Sequence, residues 1–362
     1  MKVFRVFLSL LFAPLLASAQ LPPPTLDETA RFIAGMPVTG PLALLTETPA
    51  WQEHARAMDE AWARKQNQQI EPIRNWMWTN AQEFFRSSDP VFYMFAGPDF
   101  LYANTFFPYA NSYILAGLEP IGDVADLTRI PPDQVVAGLG ALRGSLNTIL
   151  RFQYFITKDM RAELGRSVSG TLPLLYVFLA RMNQTVLGVE RLTTPAEGVK
   201  ITFRDALGRQ SQTQTLYYFK TDLSGGGNKP FLKWCAARGP GLSLLKAASF
   251  LMHGDGFSGV RNFLLQNSRV IIQDDSGIPL RAFPQGWSVN VYGNYVPHRT
   301  EFAKYTQPDL LAFVAQSPPG PLGFAFGYHW QKEEGLLMLA TPNGGGAPRP
   351  EVEVRRALPA DF

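Results

Sequence analysis

Residues 91–118 of this chain read VFYMFAGPDFLYANTFFPYANSYILAGL. Val91 to Phe95 is an apolar run of strand length, ended by Gly97-Pro98-Asp99. Phe100 to Phe107 has room for two helical turns before Pro108 stops them. Ser112 to Leu118 is a second apolar run, closed by Glu119-Pro120. Runs that are continuously apolar, rather than alternating, suit strands buried on both faces. Two of them joined by a short helix make a compact β-α-β unit of a parallel sheet.

Downstream, the same pattern recurs. Leu242 to Leu251 reads as a strand or the end of a helix. Val260, Phe263, Leu264 and Asn267 mark a helix, and Arg269 to Gln273 a strand ending in Asp274-Asp275. Between the two units, helical patterns run from Pro131-Pro132 to about Asn183, with an all-apolar core segment from Leu172 to Ala180. Val186 to Thr193 is a strand, and residues 198–221 form a hairpin that turns at Leu207-Gly208. Late in the chain Phe324, Phe326, Tyr328 and Trp330 alternate with Ala325, Gly327 and His329. Glu334-Gly335 then turns into Leu336 to Ala340, which reads as an antiparallel hairpin. The expected fold over residues 90–342 is α/β: a mostly parallel, Rossmann-like sheet flanked by helices, with a C-terminal antiparallel hairpin.

Upstream, Thr48 is an N-cap before Pro49, and Trp51, Ala55, Met58 and Trp62 share one helix face. Residues 49–89 are therefore an N-terminal helical extension, broken or restarted at Pro72. Residues 20–48 open on Leu21-Pro-Pro-Pro and suggest an extended tether. Residues 1–19 hold Lys2 and Arg5, an apolar run from Val6 to Leu16 too short to span a bilayer, and the small-residue site Ala17-Ser18-Ala19. That is the pattern of a secretory signal peptide, so a periplasmic or secreted protein starting at Gln20 is expected. Residues 343–362 are Gly/Pro-rich and then charged, the composition of a loosely ordered tail.

The 33 Lys and Arg against 30 Asp and Glu give a formal charge of +3, and two of those cations, Lys2 and Arg5, lie in the signal region. Nothing in this balance provides the clustered basic excess that nucleic acid requires. Cys235, the single cysteine, has no intrachain disulfide partner. No apolar run of membrane-spanning length follows residue 19.

The segment from Gly97 to Pro108, GPDFLYANTFFP, resembles one found in uncharacterised exported bacterial proteins. That resemblance implies export and brings no activity with it. The order of apolar runs and helices also resembles Rossmann-like methyltransferases, with Gly97 near the end of the first strand and the acidic Glu119 ending the second. The sequence departs from that pattern because Gly97-Pro98-Asp99 lacks the glycine spacing of a nucleotide-binding turn. An exported protein would also not meet S-adenosylmethionine. The sequence assigns no cofactor.

In an open α/β sheet, ligands bind beyond the carboxyl ends of the parallel strands. The polar residues expected there are Asp99, Asn104 and Glu119 from the first unit, and Lys246, Ser249, His253, Asp274, Asp275 and Ser276 from the second. Paired carboxylates beside a histidine transfer protons, bind hard cations or hold sugar hydroxyls. The bland alternative is that Asp99 caps a helix and Asp274-Asp275-Ser276-Gly277 is an Asx turn. Ser243-Leu-Leu-Lys246 and Tyr292-Gly-Asn294 match two motifs of penicillin-recognising enzymes, but no Lys-Thr-Gly follows Tyr292. His54, His253, His298 and His329 lack metal-ligand spacing. Trp51, Trp62, Trp76 and Trp78 suit either core packing or stacking on sugar rings.

Three functional readings follow. The chain binds a small polar or saccharide-like ligand at the strand-end rim. Alternatively it is a cell-envelope hydrolase or transferase using acids and His253 at the same rim. Or it is a structural or interaction protein of the envelope.

Overall fold

The computed structural model describes residues 22–152, 168–226, 228–328 and 335–343. The expected signal peptide, most of the expected tail, and His329, Trp330 and Glu334 lie outside the described residues. The extended tether is corrected at once: residues 26–33 form helix α1 (Leu26–Ile33). Its start is a capping box, in which the Thr25 hydroxyl accepts from Glu28 N–H and the Glu28 carboxylate accepts Thr25 N–H at 2.8 Å. Phe32 of α1 stacks on Trp51, so the burial of an apolar face holds this segment down.

Helix α2 (Pro49–Lys65) begins where Thr48 caps it. Residues 66–70 continue as a π-helical turn into α3 (Glu71–Asn80), so the chain stays helical through Pro72, and the π turn just before it accommodates the proline. Strand β1 (Val91–Tyr93), helix α4 (Phe100–Phe106) and strand β2 (Ser112–Gly117) form the first expected unit, with β1 and β2 parallel. The next helices are α5 (Pro132–Phe152) and α6 (Leu172–Arg181); residues 172–180 of α6 are all buried. Strands β3 (Gln184–Leu192), β4 (Gly198–Asp205) and β5 (Gln214–Lys220) then run antiparallel to one another in turn. Helix α7 (Lys229–Ala236) leads to β6 (Gly241–Leu245), α8 (Ser258–Asn267) and β7 (Ser268–Gln273). The pair β6 and β7 is parallel, as the second unit requires.

Among the described residues the sheet has nine strands in the order β8-β9-β7-β6-β1-β2-β5-β4-β3, where β8 is Trp287–Gly293 and β9 is Leu336–Pro342. The middle five, β7, β6, β1, β2 and β5, are all parallel. Counted along the chain they stand in the order 3-2-1-4-5, so strand addition reverses direction between β1 and β6. Right-handed crossovers then place helices on opposite faces for the two halves. Accordingly Val91, Tyr93, Tyr113 and Leu115 pack on the face of α1 to α6, whereas Phe92, Met94, Ile114 and Ala116 pack on the face of α7 and α8.

The expected C-terminal hairpin is also corrected. Residues 324–328 are not a strand, and Leu336–Pro342 pairs antiparallel with β8 and β7 instead. Gly323 and Gly327 take left-handed φ values of 78° and 81°, which breaks an extended repeat, and Phe324 and Phe326 sink into the core. Among the described residues no helix is long and apolar enough to cross a membrane.

Candidate functional site

Both units lie in one sheet with their strands parallel, so the segments after β1, β6 and β7 emerge at the same end. Asp99, after β1, occupies the position before α4. Its Oδ1 accepts Tyr102 N–H at 3.1 Å, and its Oδ2 accepts the Tyr93 hydroxyl at 2.8 Å. Lys246, the first residue after β6, brings its Nζ to 3.3 Å from Asp99 Oδ2. The two side chains are 3% and 1% exposed, so the ion pair is sealed from water. Lys246 also stands 3.9 Å above the centre of the Tyr102 ring. Burial lowers the pKa of Lys246, while Asp99 and Asp274 oppose that shift.

Two residues that sequence reasoning missed complete this cluster. Lys65 at the end of α2 reaches the Tyr102 hydroxyl at 3.4 Å, and that hydroxyl donates to Gln69 Oε1 at 3.3 Å. Gln69 lies in the π-helical turn, a distortion common at functional sites. Burial, reinforced by Lys246, pushes the Lys65 pKa down to about 7. The signal was present: Lys65 continues the apolar stripe of Met58 and Trp62.

Asp274 joins from β7. Its Oδ2 accepts Ala247 N–H at 2.9 Å and its Oδ1 accepts Ser276 N–H at 3.0 Å, the Asx turn considered above. Burial, then the neighbouring Asp275, raises its pKa to about 7. The Asp275 carboxylate instead accepts His298 Nε2–H at 2.6 Å, and the Asp275 carbonyl accepts His253 Nε2–H at 3.1 Å. Asp99, Lys246 and Asp274 are therefore brought together, with Asp275, His253 and Ser249 in the adjoining loops. Glu119 turns toward β5, where it accepts the Tyr218 hydroxyl at 3.2 Å.

Asn104 does not belong to the rim. Helix α4 carries it back toward the amino ends of the strands, where its Nδ2 donates to the Tyr113 hydroxyl at 3.0 Å. Ser243 is also corrected. It lies inside β6, and its hydroxyl pairs with that of Ser268 at 2.7 Å, so it has neither a helix N-terminus nor Lys246 as a base. Trp51 and Trp76 are buried and Trp62 and Trp78 half-buried, so none of them offers an open stacking platform. Cys235 is buried, and desolvation raises its thiol pKa to about 12, which removes it as a nucleophile.

Strained backbone marks the same end of the sheet. Among the described residues, five non-glycine residues have left-handed φ, and four of them, Phe95, Ala247, Ser249 and Phe250, follow β1 or β6. Such conformations cost ~1–3 kcal/mol each and persist where their surroundings fix them. Here Ala248 N–H donates to Ser276 Oγ at 2.7 Å, and Phe250 N–H to the Ser276 carbonyl at 3.1 Å. Ser249 N–H donates to the Tyr328 hydroxyl at 3.0 Å, and that hydroxyl donates to the Ala247 carbonyl at 3.0 Å. Phe250 is clasped by Tyr305 in a parallel stack, centroids 4.4 Å apart.

This loop forms one wall of an open pocket of about 470 Å³, through Ser249, Phe250, His253 and Gly254. Arg281, from the segment after β7, and Lys304, Tyr305 and Thr306 form the other. The pocket residues other than Ser249 and His253 were not picked out from the sequence, because nothing local links positions 250, 281 and 304. Burial lowers the pKa of His253, leaving it neutral at pH 7. Among the described residues no cluster of His, Cys, Asp and Glu has the arrangement of a metal site. The geometry offers a sealed ionic cluster behind an open, polar and aromatic pocket. Comparison with protein families, curated proteins and solved structures finds no match to this chain.

Proposed function

We propose that this chain is an exported protein that binds a small polar or saccharide-like ligand at the carboxyl ends of β6 and β7. The observation that carries this reading is the open pocket walled by the Ser249–Phe250 loop, whose left-handed backbone is held by five hydrogen bonds to Asp274, Ser276 and Tyr328. Strain maintained by that many partners pre-organises a binding loop. The 3-2-1-4-5 order of the parallel strands supports a Rossmann-like reading of the sheet, in which ligands bind at such strand ends.

Binding is favoured over turnover at Asp99 and Lys246, because both are sealed and fully engaged with protein partners. Next to β1, Asp99 supplies the carboxylate that caps α4, so the chain fills from within the place where a nucleotide phosphate would sit. The accessible site is displaced to the loops after β6 and β7. Gly254 gives the test. Its backbone is extended, φ −102° and ψ 175°, and a Cβ there would meet open space. Gly254→Phe should therefore fold normally, block the pocket and abolish the melting-temperature increase that a small polar ligand gives the wild type. A ligand whose stabilisation survives Gly254→Phe would refute the site.

A further inference from the structure

We infer that the ligand of this pocket is a small organic anion bearing hydroxyl groups, such as a sugar acid or sugar phosphate, held by Arg281 and Lys304. The inference rests on the strand-end reading and deepens it. Among the described residues, the lining contains these two cations and no carboxylate. Neither cation forms an ion pair among the described residues: Arg281 donates only to the His253 carbonyl at 3.5 Å, and the Lys304 ammonium lies 5.0 Å from the centre of the Tyr305 ring. Of the acids near the pocket among the described residues, Asp275 is paired with His298, and Asp255 is fully exposed to water beyond Gly254, 4.0 Å from Arg261. Two cations sharing one pocket favour an anionic oxygen group, and the Arg fork suits a carboxylate or phosphate in particular.

The neutral lining extends the chemistry beyond a simple anion. The Tyr328 hydroxyl spends its one proton on the Ala247 carbonyl, so in the 2.9 Å contact with Ser249 Oγ it is the serine that donates. Ser249 Oγ then presents lone pairs to the pocket. His253 Nε2–H is committed to the Asp275 carbonyl, which makes Nδ1 an acceptor in the neutral ring. Thr306 Oγ1 accepts His298 N–H at 2.8 Å and keeps its own proton to donate. Two acceptors and a hydroxyl donor beside two cations match a ligand that combines an anionic group with hydroxyls. Bare phosphate would leave the acceptors unused.

Calorimetric titration of the purified protein with glucose 6-phosphate, glucuronate, inorganic phosphate and neutral glucose tests this. At low salt, at least one of the two anionic sugars should bind ten or more times tighter than both glucose and phosphate. Arg281→Gln combined with Lys304→Gln should remove that preference without changing the melting temperature of the unliganded protein. Glucose binding as tightly as the anionic sugars, with Gly254→Phe abolishing both, would overturn the anion assignment and leave the strand-end site standing. Anion binding that persists in the double variant would overturn it in the same way. Binding of none of the four, or binding unaffected by Gly254→Phe, would overturn the strand-end site itself.

Discussion

Asp99 and Lys246 face each other at 3.3 Å across the point where strand addition reverses direction, between β1 and β6. One side chain leaves the first β-α-β unit and the other the second, so the pair fastens the two halves of the sheet at their carboxyl ends. Removing water from both charges is costly, and the return comes from mutual attraction plus the Tyr93 and Tyr102 hydrogen bonds.

Lys246→Met should destabilise the protein by about 3–5 kcal/mol, because it leaves the Asp99 carboxylate buried without a counter-charge. Adding Asp99→Asn should recover much of that loss, since the neutral amide removes the stranded charge. Urea unfolding of the two single variants and the double variant measures the coupling; simple additivity would mean that the pair is not coupled.

Lys65 predicts a rise of stability with pH. Its folded pKa of about 7 lies below the ordinary 10.5, so between these values the unfolded chain holds a proton that the folded chain lacks. Stability therefore increases across that window and is lowest below pH 7. Lys65→Met removes the titration. Its stability relative to wild type should fall by roughly 2–4 kcal/mol between pH 6 and pH 10. A difference that does not change with pH would contradict the shift.

His54 predicts loss of stability in acid. Desolvation lowers its pKa from 6.5 to about 4, and its Nε2–H donates to the Ile33 carbonyl at 2.9 Å. Between those values the unfolded chain binds the extra proton, so stability drains away as pH falls from 6.5 to 4, by roughly 3 kcal/mol. His54→Gln keeps a donor and does not titrate, so acid unfolding curves should show it losing less stability over that range.

The proposed export predicts a mature amino terminus at Gln20. Amino-terminal sequencing of material recovered outside the cytoplasm should read Gln-Leu-Pro-Pro-Pro. Recovery of chains that still begin at Met1 would contradict cleavage after Ala19.

The two β-α-β units were legible because strands buried on both faces are written as unbroken apolar runs, and Pro and Gly punctuate them. The meeting of Asp99, Lys246 and Asp274 could be anticipated from the rule for strand ends, while its chemistry could not. Asp99 is both a cap and an ion-pair partner, roles that local sequence cannot separate. Asn104 was misplaced because Asp99 opens a helix that turns back down the sheet. Strand β8 stayed hidden because its partner β9 enters from the far end of the chain. The capping box at Thr25 and Glu28 was readable, but the triple proline before it drew the segment into a tether.

The most direct test of the account is where small polar molecules bind. Crystals or labelled protein screened with polar fragments should place hits in the pocket between residues 249–254, Arg281 and residues 304–306, with matching amide shifts in those segments. Hits that avoid this pocket and gather at the amino ends of the strands would contradict it.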